Sequence, residues 1–172
     1  MACTFTLTGI ARDCEVNAGG IKRVLIASYA DVLGLTETDG VITAVTLDTG
    51  KYFAEYYVRK GVASYTGTPQ FNDDGDYTGE DGVLSLVFGR MSTAKRIEVD
   101  ALSKQDLAVV FQDANGLWWY LGKDYPVTRN GGDTTTGTAQ TDRNGYGIDL
   151  HSNDNGAPFE VDEDVIETLL PA

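Results

Sequence analysis

The chain has 172 residues, of which 42% are hydrophobic and 10% aromatic, a composition typical of one globular domain. It carries 13 Lys and Arg residues against 26 Asp and Glu residues, a formal net charge of −13. This negative charge argues against tight DNA or RNA binding, and no segment predicts a membrane span. Because the start, MACTFTLTGIARDC, lacks a basic segment followed by an apolar one, we expect no secretory signal and a cytoplasmic protein.

Short β-rich segments separated by glycine fill the first third of the chain. Alternation of apolar residues and threonine predicts a strand at residues 3–11, and residues 21–29 predict a second strand. Residues 41–47 and 51–61 are predicted to pair as a hairpin. The reason is the connecting Asp-Thr-Gly, which has glycine where a turn needs a positive φ.

An acidic segment, NDDGDYTGEDG at residues 72–82, lies between predicted strands at residues 63–71 and 82–90. We expect it to be a mobile, solvated hairpin tip. Its carboxylates also offer oxygen ligands to calcium, for which Asp74, Asp76 and Glu80 are the candidates. The segment fails the EF-hand template, since the position that requires a bidentate glutamate is Ser85. We therefore predict no resident metal ion and no cofactor.

One stretch breaks the β pattern and predicts a helix over about residues 92–104, with Ser92 or Thr93 as its N-terminal cap. Ile97 and Leu102 are expected to face a sheet, and the cations Lys95, Arg96 and Lys104 to point outward. Lys95 and Arg96 are candidates for pairing with carboxylates of a neighbouring subunit, and the alternative is a solvated helix face.

The segment LAVVFQDANGLWWYLG, residues 107–122, predicts a hairpin that turns at Asn115 and Gly116. In an extended strand Trp119 lies on one face, with Leu117 and Leu121, and Trp118 and Tyr120 lie on the other. Both faces are apolar, although an edge of a small sheet normally has one wet face. The second face is covered by the chain's own helix at residues 92–103, by a second sheet, or by another copy, so Trp118 and Tyr120 are candidate subunit-interface residues.

The last third begins with a polar run at residues 129–145, expected to be a loop or edge segment, and continues with a strand at residues 146–152. An acidic C-terminal tail follows, in which Val165, Ile166, Leu169 and Leu170 have the spacing of a short helix. Eight to ten strands and one central helix predict a mainly β fold. We expect residues 1–172 to form one domain, a two-sheet β-sandwich or partly closed barrel with one flanking α-helix.

No catalytic motif is present: the sequence has neither G-x-S-x-G nor a phosphate-binding loop. The single histidine, His151, is expected in a surface turn. Cys3 and Cys14 are expected to be reduced packing residues, and they are too few for a zinc site. We predict that the protein is not an enzyme.

Taken together, several segments resemble the tail tube (major tail) proteins of tailed bacteriophages and prophages of Bacteroidetes-type bacteria. The resemblance covers most of the chain and rests on segments that occur in this order: CTFTLTGIARDCEVNAGGIKRV, YYVRKG, GRMSTAKRIEV, FQDANGLWWYLG, GTAQTDRNGYGIDL and APFEVDED.

The resemblance implies a structural virion protein that is made in the host cytoplasm and located in the tail. It implies hexameric rings whose sheets join into a continuous inner barrel, stacked into a tube that conducts DNA without binding it specifically. The partners are then further copies of the chain and other tail or neck proteins, with no membrane. A negative wall lining the channel would let the anionic duplex slide.

Two alternatives stay open at this point. A neck or connector ring, or a capsid decoration protein, can be built from the same sandwich, since a fold does not define a role. The alternative from another class is a carbohydrate-binding or calcium-stabilised β-sandwich module. Such a module would present Trp118 and Trp119 on an exposed platform and use the acidic segment as its metal site.

Overall fold

Two β-sheets pack face to face in the computed structural model, which describes residues 6–12 and 14–171. The chain is mainly β, with two α-helices, and the described residues form no closed barrel. The predicted fold class, a two-sheet β-sandwich with a flanking helix, is therefore confirmed.

The elements follow one another in this order: β1 (Ile21–Ser28), a 3₁₀ turn (Tyr29–Asp31), β2 (Val32–Thr38), β3 (Val41–Leu47), β4 (Ala54–Tyr57), β5 (Ser64–Phe71), β6 (Tyr77–Gly89), α1 (Thr93–Leu102), β7 (Leu107–Asp113), β8 (Trp118–Leu121), β9 (Thr128–Gly131), β10 (Thr134–Thr135), β11 (Gly145–Asp154), β12 (Phe159–Val161) and α2 (Glu163–Leu169).

The larger sheet has seven strands in the order β2-β3-β12-β8-β7-β1-β4. All its pairs are antiparallel except β12 with β3. Strand β12, near the end of the chain, lies inside the sheet between β3 and β8. The smaller sheet has the order β10-β11-β6-β5, and β9 also pairs with β11. The edge strands of the larger sheet are β2 and β4.

The main core lies between the two sheets. Alternate residues of β1 and β7, including Val24 and Val109, meet Leu84 of β6 and Ile148 of β11, and all four are fully buried. Helix α1 packs against this same core. The period-2 alternation of these strands therefore places one of their two faces here.

A second core covers the opposite face of the seven-stranded sheet. Helix α2 buries Val165, Ile166 and Leu169 against Trp118, Tyr120 and their neighbours in the sheet. Asp162 caps this helix, because its Oδ1 accepts a hydrogen bond from Asp164 N at 3.1 Å. The helix expected at the chain end is confirmed, but the acidic tail as a whole is β12 and α2 packed onto the sheet.

Helix α1 begins at its predicted cap, where Ser92 Oγ accepts a hydrogen bond from Lys95 N at 3.4 Å. Its buried residues are Val99 and Leu102. The prediction that Ile97 faces a sheet is wrong, since this side chain is 56% exposed. The helix is short and buries only one narrow stripe near its C-terminal end, and Ile97 lies outside that stripe.

The predicted hairpin between residues 41–47 and 51–61 does not form. Its turn exists, because Lys51 N donates to Asp48 O at 3.0 Å and Gly50 has φ +74°. The chain then crosses to the other edge of the sheet, where β4 pairs with β1. Phe53 is buried under α2 and its N–H donates to Leu169 O at 2.8 Å, which draws the chain away from β3.

Strand β3 pairs instead with β2 through a turn at Asp39 and Gly40. Both residues have positive φ, +53° and +85°, as a two-residue hairpin turn of type I′ requires. This Asp-Gly pair is the sequence signal for the hairpin that the chain forms, and the prediction overlooked it.

The loop within the acidic segment is shorter than the predicted hairpin tip at residues 72–82. Only residues 72–76 form the turn, in which Asn72 Oδ1 accepts hydrogen bonds from the N–H groups of Asp74 and Asp76 at 3.0 and 2.8 Å. The rest extends β6, which is paired on both sides by β5 and β11. Gly82 permits this close packing, because a Cβ there would lie 2.5 Å from Tyr65 Oη and Ser152 Oγ.

The first predicted strand, residues 3–11, is not observed in its described part. Residues 6–11 are in no strand and are exposed, while residues 3–5 lie outside the described residues. The polar run at residues 129–145 supplies the two short strands β9 and β10, as expected for an edge segment.

Candidate subunit interface

Trp118 and Tyr120 are core residues of the single chain, with 2% and 1% of their surface exposed. Neither is available at a subunit surface, which corrects their assignment as interface residues. Their alternation in β8 places them under α2, while Trp119 lies on the opposite face and donates from Nε1 to Asp113 Oδ2 at 3.1 Å. The helix that covers this face is the C-terminal helix α2 and not the predicted helix at residues 92–103, since α1 packs against the core between the two sheets.

The polar atoms of these two core residues lack hydrogen-bond partners within the described residues. Trp118 Nε1 and Tyr120 Oη are both buried and unpaired. Burial raises the pKa of the Tyr120 hydroxyl, and the nearby Tyr29 and Asp154 raise it further. The hydroxyl is therefore neutral at ordinary pH, and its burial without a partner does not favour the folded state.

The two cations of α1 differ in their surroundings. Lys95 is half-buried, and its Nζ donates to the backbone oxygens of Gly89 and Arg90 at the end of β6. Arg96 is exposed and pairs with Asp100 one turn later at 3.3 Å. Lys95 is thus already engaged within the chain, and Arg96 is the one whose charge faces solvent. A role for either in pairing with a neighbouring subunit stays a prediction.

The calcium candidates are not brought together into a site. Asp74 and Asp76 lie in the turn, where their backbone N–H groups bond Asn72, whereas Glu80 lies on β6 and accepts from Tyr65 Oη at 3.0 Å. Within residues 6–12 and 14–171, no group of three or more His, Cys, Asp or Glu side chains is placed to hold a metal ion.

His151 lies on β11 rather than in a turn, with Nδ1 3.6 Å from Asp81 Oδ1 on the neighbouring strand. Cys14 is a free, exposed cysteine rather than a packing residue, and Cys3 lies outside the described residues.

Asp154 is a buried carboxylate that the sequence analysis did not single out. It is 5% exposed and accepts hydrogen bonds from the backbone N–H groups of Gly122, Asp124 and Tyr125 at 2.8, 3.0 and 3.3 Å. Three amide donors satisfy its charge and attach the end of β11 to the segment after β8. Its role is structural, and no sequence motif marks it, because its partners are backbone groups.

The open edge of β4 borders an apolar cleft. The cleft has a volume of about 370 Å³ and lies between β4, the end of β6 and helix α1. Its apolar wall includes Tyr56, Phe88, Val99 and Leu102. Tyr57, on the rim, is 83% exposed. We call this feature, with its edge strand Ala54–Tyr57, the β4 cleft.

Three of the four charged side chains that line the β4 cleft, Glu55, Lys95 and Glu98, are paired with other groups of the chain, and the fourth is Arg59. The Tyr56 hydroxyl donates to the Glu98 carboxylate, and burial, together with this bond, raises the pKa of Tyr56. Arg23 Nε binds Glu55 Oε1 at 2.6 Å, and this hydrogen bond lowers the pKa of Glu55. The cleft therefore presents mainly apolar surface next to unpaired strand backbone.

A second exposed apolar feature precedes β1 in the chain. Residues 6–12 and 14–19, which we call the N-terminal arm, belong to no strand or helix. Its large apolar side chains Leu7, Ile10 and Val16 are 94%, 103% and 90% exposed. The arm is held at its base, where Ala18 N donates to Asn115 Oδ1 at 2.8 Å and Asn115 Nδ2 donates to Asn17 Oδ1 at 3.1 Å.

No family model, curated protein or solved structure matches the chain. Neither helix in the described part of the chain is long and apolar enough to cross a membrane. A functional proposal therefore rests on the surface of the chain itself, above all on the β4 cleft and the N-terminal arm.

Proposed function

We propose that the chain is a structural subunit of a phage tail tube, located in the virion tail, that assembles as stacked hexameric rings around a DNA-conducting channel. The observation that carries the proposal is the distribution of covered and open surface on the seven-stranded sheet. Both faces of this sheet are covered within one chain, while its edge strands β2 and β4 and the N-terminal arm are open.

Open strand edges favour association between copies. An edge strand presents a row of unpaired backbone N–H and C=O groups, and natural monomers usually protect such edges with charge, proline or a covering segment. The edge strand β5 carries Pro69, which is such a protection. Strand β4 lacks proline and borders an apolar cleft. This contrast supports β4 as a surface for self-association.

The topology allows a ring. The two edges of the larger sheet are different strands, so a contact that joins the β4 edge of one copy to a different surface of the next copy is heterologous, whereas β4 against β4 would give a two-fold dimer. Heterologous contacts generate rings when the rotation between copies closes, and filaments when it does not. A tube of stacked rings needs two such contacts: one that closes the ring, and one that repeats along the axis of the tube.

The charge of the chain fits a channel for DNA. Six copies at −13 each carry about −78, and acidic groups lining a narrow channel repel the duplex and prevent it from adhering. This role needs no basic DNA-binding surface, which agrees with the composition. A neck or connector ring, or a decoration protein, would use the same open edges, and the length of the assembly distinguishes it from a tube.

The alternative as a carbohydrate- or calcium-binding module loses its basis in the described residues. Trp118 is buried under α2 and Trp119 is half-buried between the sheets, so they form no exposed platform. The carboxylates proposed for calcium lie on separate elements and do not converge.

Purified chain at increasing concentration tests the proposal by light scattering and electron microscopy. Rings at low concentration and stacked tubes at higher concentration are the expected result, with no retention of duplex DNA by the tubes in low salt. A chain that stays monomeric at millimolar concentration, or tubes that bind duplex DNA tightly, would refute the proposal.

A further inference from the structure

The N-terminal arm and the β4 cleft are two exposed apolar surfaces of opposite shape on one chain. The arm is a segment outside any strand or helix, with exposed large apolar side chains, and the cleft is an apolar recess beside a strand with one unpaired edge. We propose that residues 6–12 of one copy add as a strand to the open edge of β4 of a second copy. Leu7 then enters the β4 cleft. The inference rests on the proposed self-assembly and names the contact that builds it.

The composition of the arm fits an added strand. The alternation of threonine with apolar residues predicts a strand here, yet residues 6–12 pair with no strand of their own chain. In an extended conformation Leu7, Gly9 and Ala11 lie on one face. Leu7 is the large side chain of that face, which is the face of Tyr56 and the cleft, whereas Ile10 lies on the opposite face with the exposed Tyr57 ring. Main-chain hydrogen bonds to β4 then give affinity, and the cleft gives specificity.

The other edges are poorer acceptors. Strand β5 carries Pro69, which cannot donate a backbone hydrogen bond, and β10 has only two residues. The recess beside β2 is smaller, about 280 Å³, and its lining includes Lys123 and Asp124. The β4 cleft, at about 370 Å³, is larger than the recess beside β2 and has the more apolar lining. A further recess of about 410 Å³ lies at the base of the arm and is lined by Gly20, Tyr65 and Trp119, beside the β5 edge that carries Pro69.

The position of the arm favours a second copy over its own chain. The arm leaves the body beside Asn115, in the turn between β7 and β8, and hydrogen bonds to that side chain hold Asn17 and Ala18 there. Strands β7 and β1 lie between this point and β4. To reach its own β4 edge the arm would have to turn back and cross two strand spacings, about 10 Å. A neighbour placed head to tail meets the arm without that reversal.

Cross-linking of mixed single-cysteine chains tests the contact directly. In a background with Cys3→Ser and Cys14→Ser, one chain carries Ile10→Cys in the arm and a second, size-tagged chain carries Tyr57→Cys on β4. Both positions are exposed, at 103% and 83%, so the substitutions spare the core. A short bismaleimide is expected to join the two chains under assembly conditions. The matched control carries Thr136→Cys, an exposed position on the smaller-sheet side, and is expected to give no product.

Assembly of two arm variants provides the second readout. Leu7→Asn is expected to raise the concentration for half-assembly by about tenfold or more, since it removes a large apolar side chain from the contact. Thr6→Asn, on the opposite face of the arm, is expected to leave that concentration unchanged. Both residues are exposed in the single chain, so neither variant should change the melting temperature of the unassembled chain.

The outcomes separate the inference from the proposed function. Assembly of the unmodified chain with no cross-link between Ile10→Cys and Tyr57→Cys, or with Leu7→Asn equal to Thr6→Asn, overturns the inference and leaves the tube subunit standing. A cross-link formed within one monomer that carries both cysteines overturns the assignment to a second copy. A failure of the unmodified chain to assemble at any concentration overturns both.

Discussion

Helix α2 should contribute a large share of the stability of the chain, because it covers the outer face of the seven-stranded sheet with three buried side chains. We expect Leu169→Ala to lower the free energy of unfolding by about 3 kcal/mol, within the range of about 2 to 5 kcal/mol for buried leucines. Leu169 is fully buried in the second core, and its backbone oxygen accepts the hydrogen bond from Phe53 N. The value lies below the top of the range because a short terminal helix shifts to fill part of the cavity.

Urea unfolding followed by near-ultraviolet circular dichroism measures this loss. The control is Glu167→Ala, an exposed residue of the same helix, which should change the free energy by less than about 0.5 kcal/mol. The experiment requires two concentrations at which the chain is unassembled, since association stabilises the folded state. A loss below about 1 kcal/mol for Leu169→Ala would show that α2 does not cover the sheet and would make Trp118 and Tyr120 available to a neighbour.

Tyr120→Phe should leave the free energy of unfolding unchanged or raise it by up to about 1 kcal/mol, because it removes a buried hydroxyl without a partner. A loss above about 1 kcal/mol in urea unfolding would reveal a partner for that hydroxyl. Asp154→Asn should cost about 2 kcal/mol, since the amide loses charge-assisted bonds to three backbone N–H groups, and an unchanged urea midpoint would contradict this role. Gly40→Ala should cost about 1 kcal/mol or more by thermal unfolding, because Gly40 has φ +85°. An equal melting temperature would show that the turn relaxes at no cost. Millimolar calcium should leave the melting temperature unchanged, since the carboxylates do not converge, and a rise of several degrees would restore the calcium-binding alternative.

The local pattern of the sequence was sufficient for most individual elements. Strands β1, β3, β7 and β11 and the hairpin turn at Asn115 and Gly116 occur where alternation and turn residues predicted them. Ser92 caps α1 as its chemistry indicated. These features depend on residues a few positions apart, so their cause is visible in the sequence.

The pairing of the elements depended on contacts between residues far apart in the chain. The turn at Gly50 predicted a hairpin of β3 and β4, but the burial of Phe53 under a helix more than a hundred residues later moved β4 to the opposite edge. Residues 6–11 have a strand pattern but form no strand, since an alternating pattern does not by itself supply a partner strand.

The candidate interface likewise depended partly on local sequence pattern and partly on contacts between distant residues. The sequence by itself established that both faces of the Trp118 to Leu121 strand are apolar, which requires two covering layers. Only the tertiary structure determined that α2 provides the second layer, and so moved the candidate interface from that face to the β4 edge and the N-terminal arm. The physical reason is that apolar surface specifies burial but not the partner, since the hydrophobic effect has no direction.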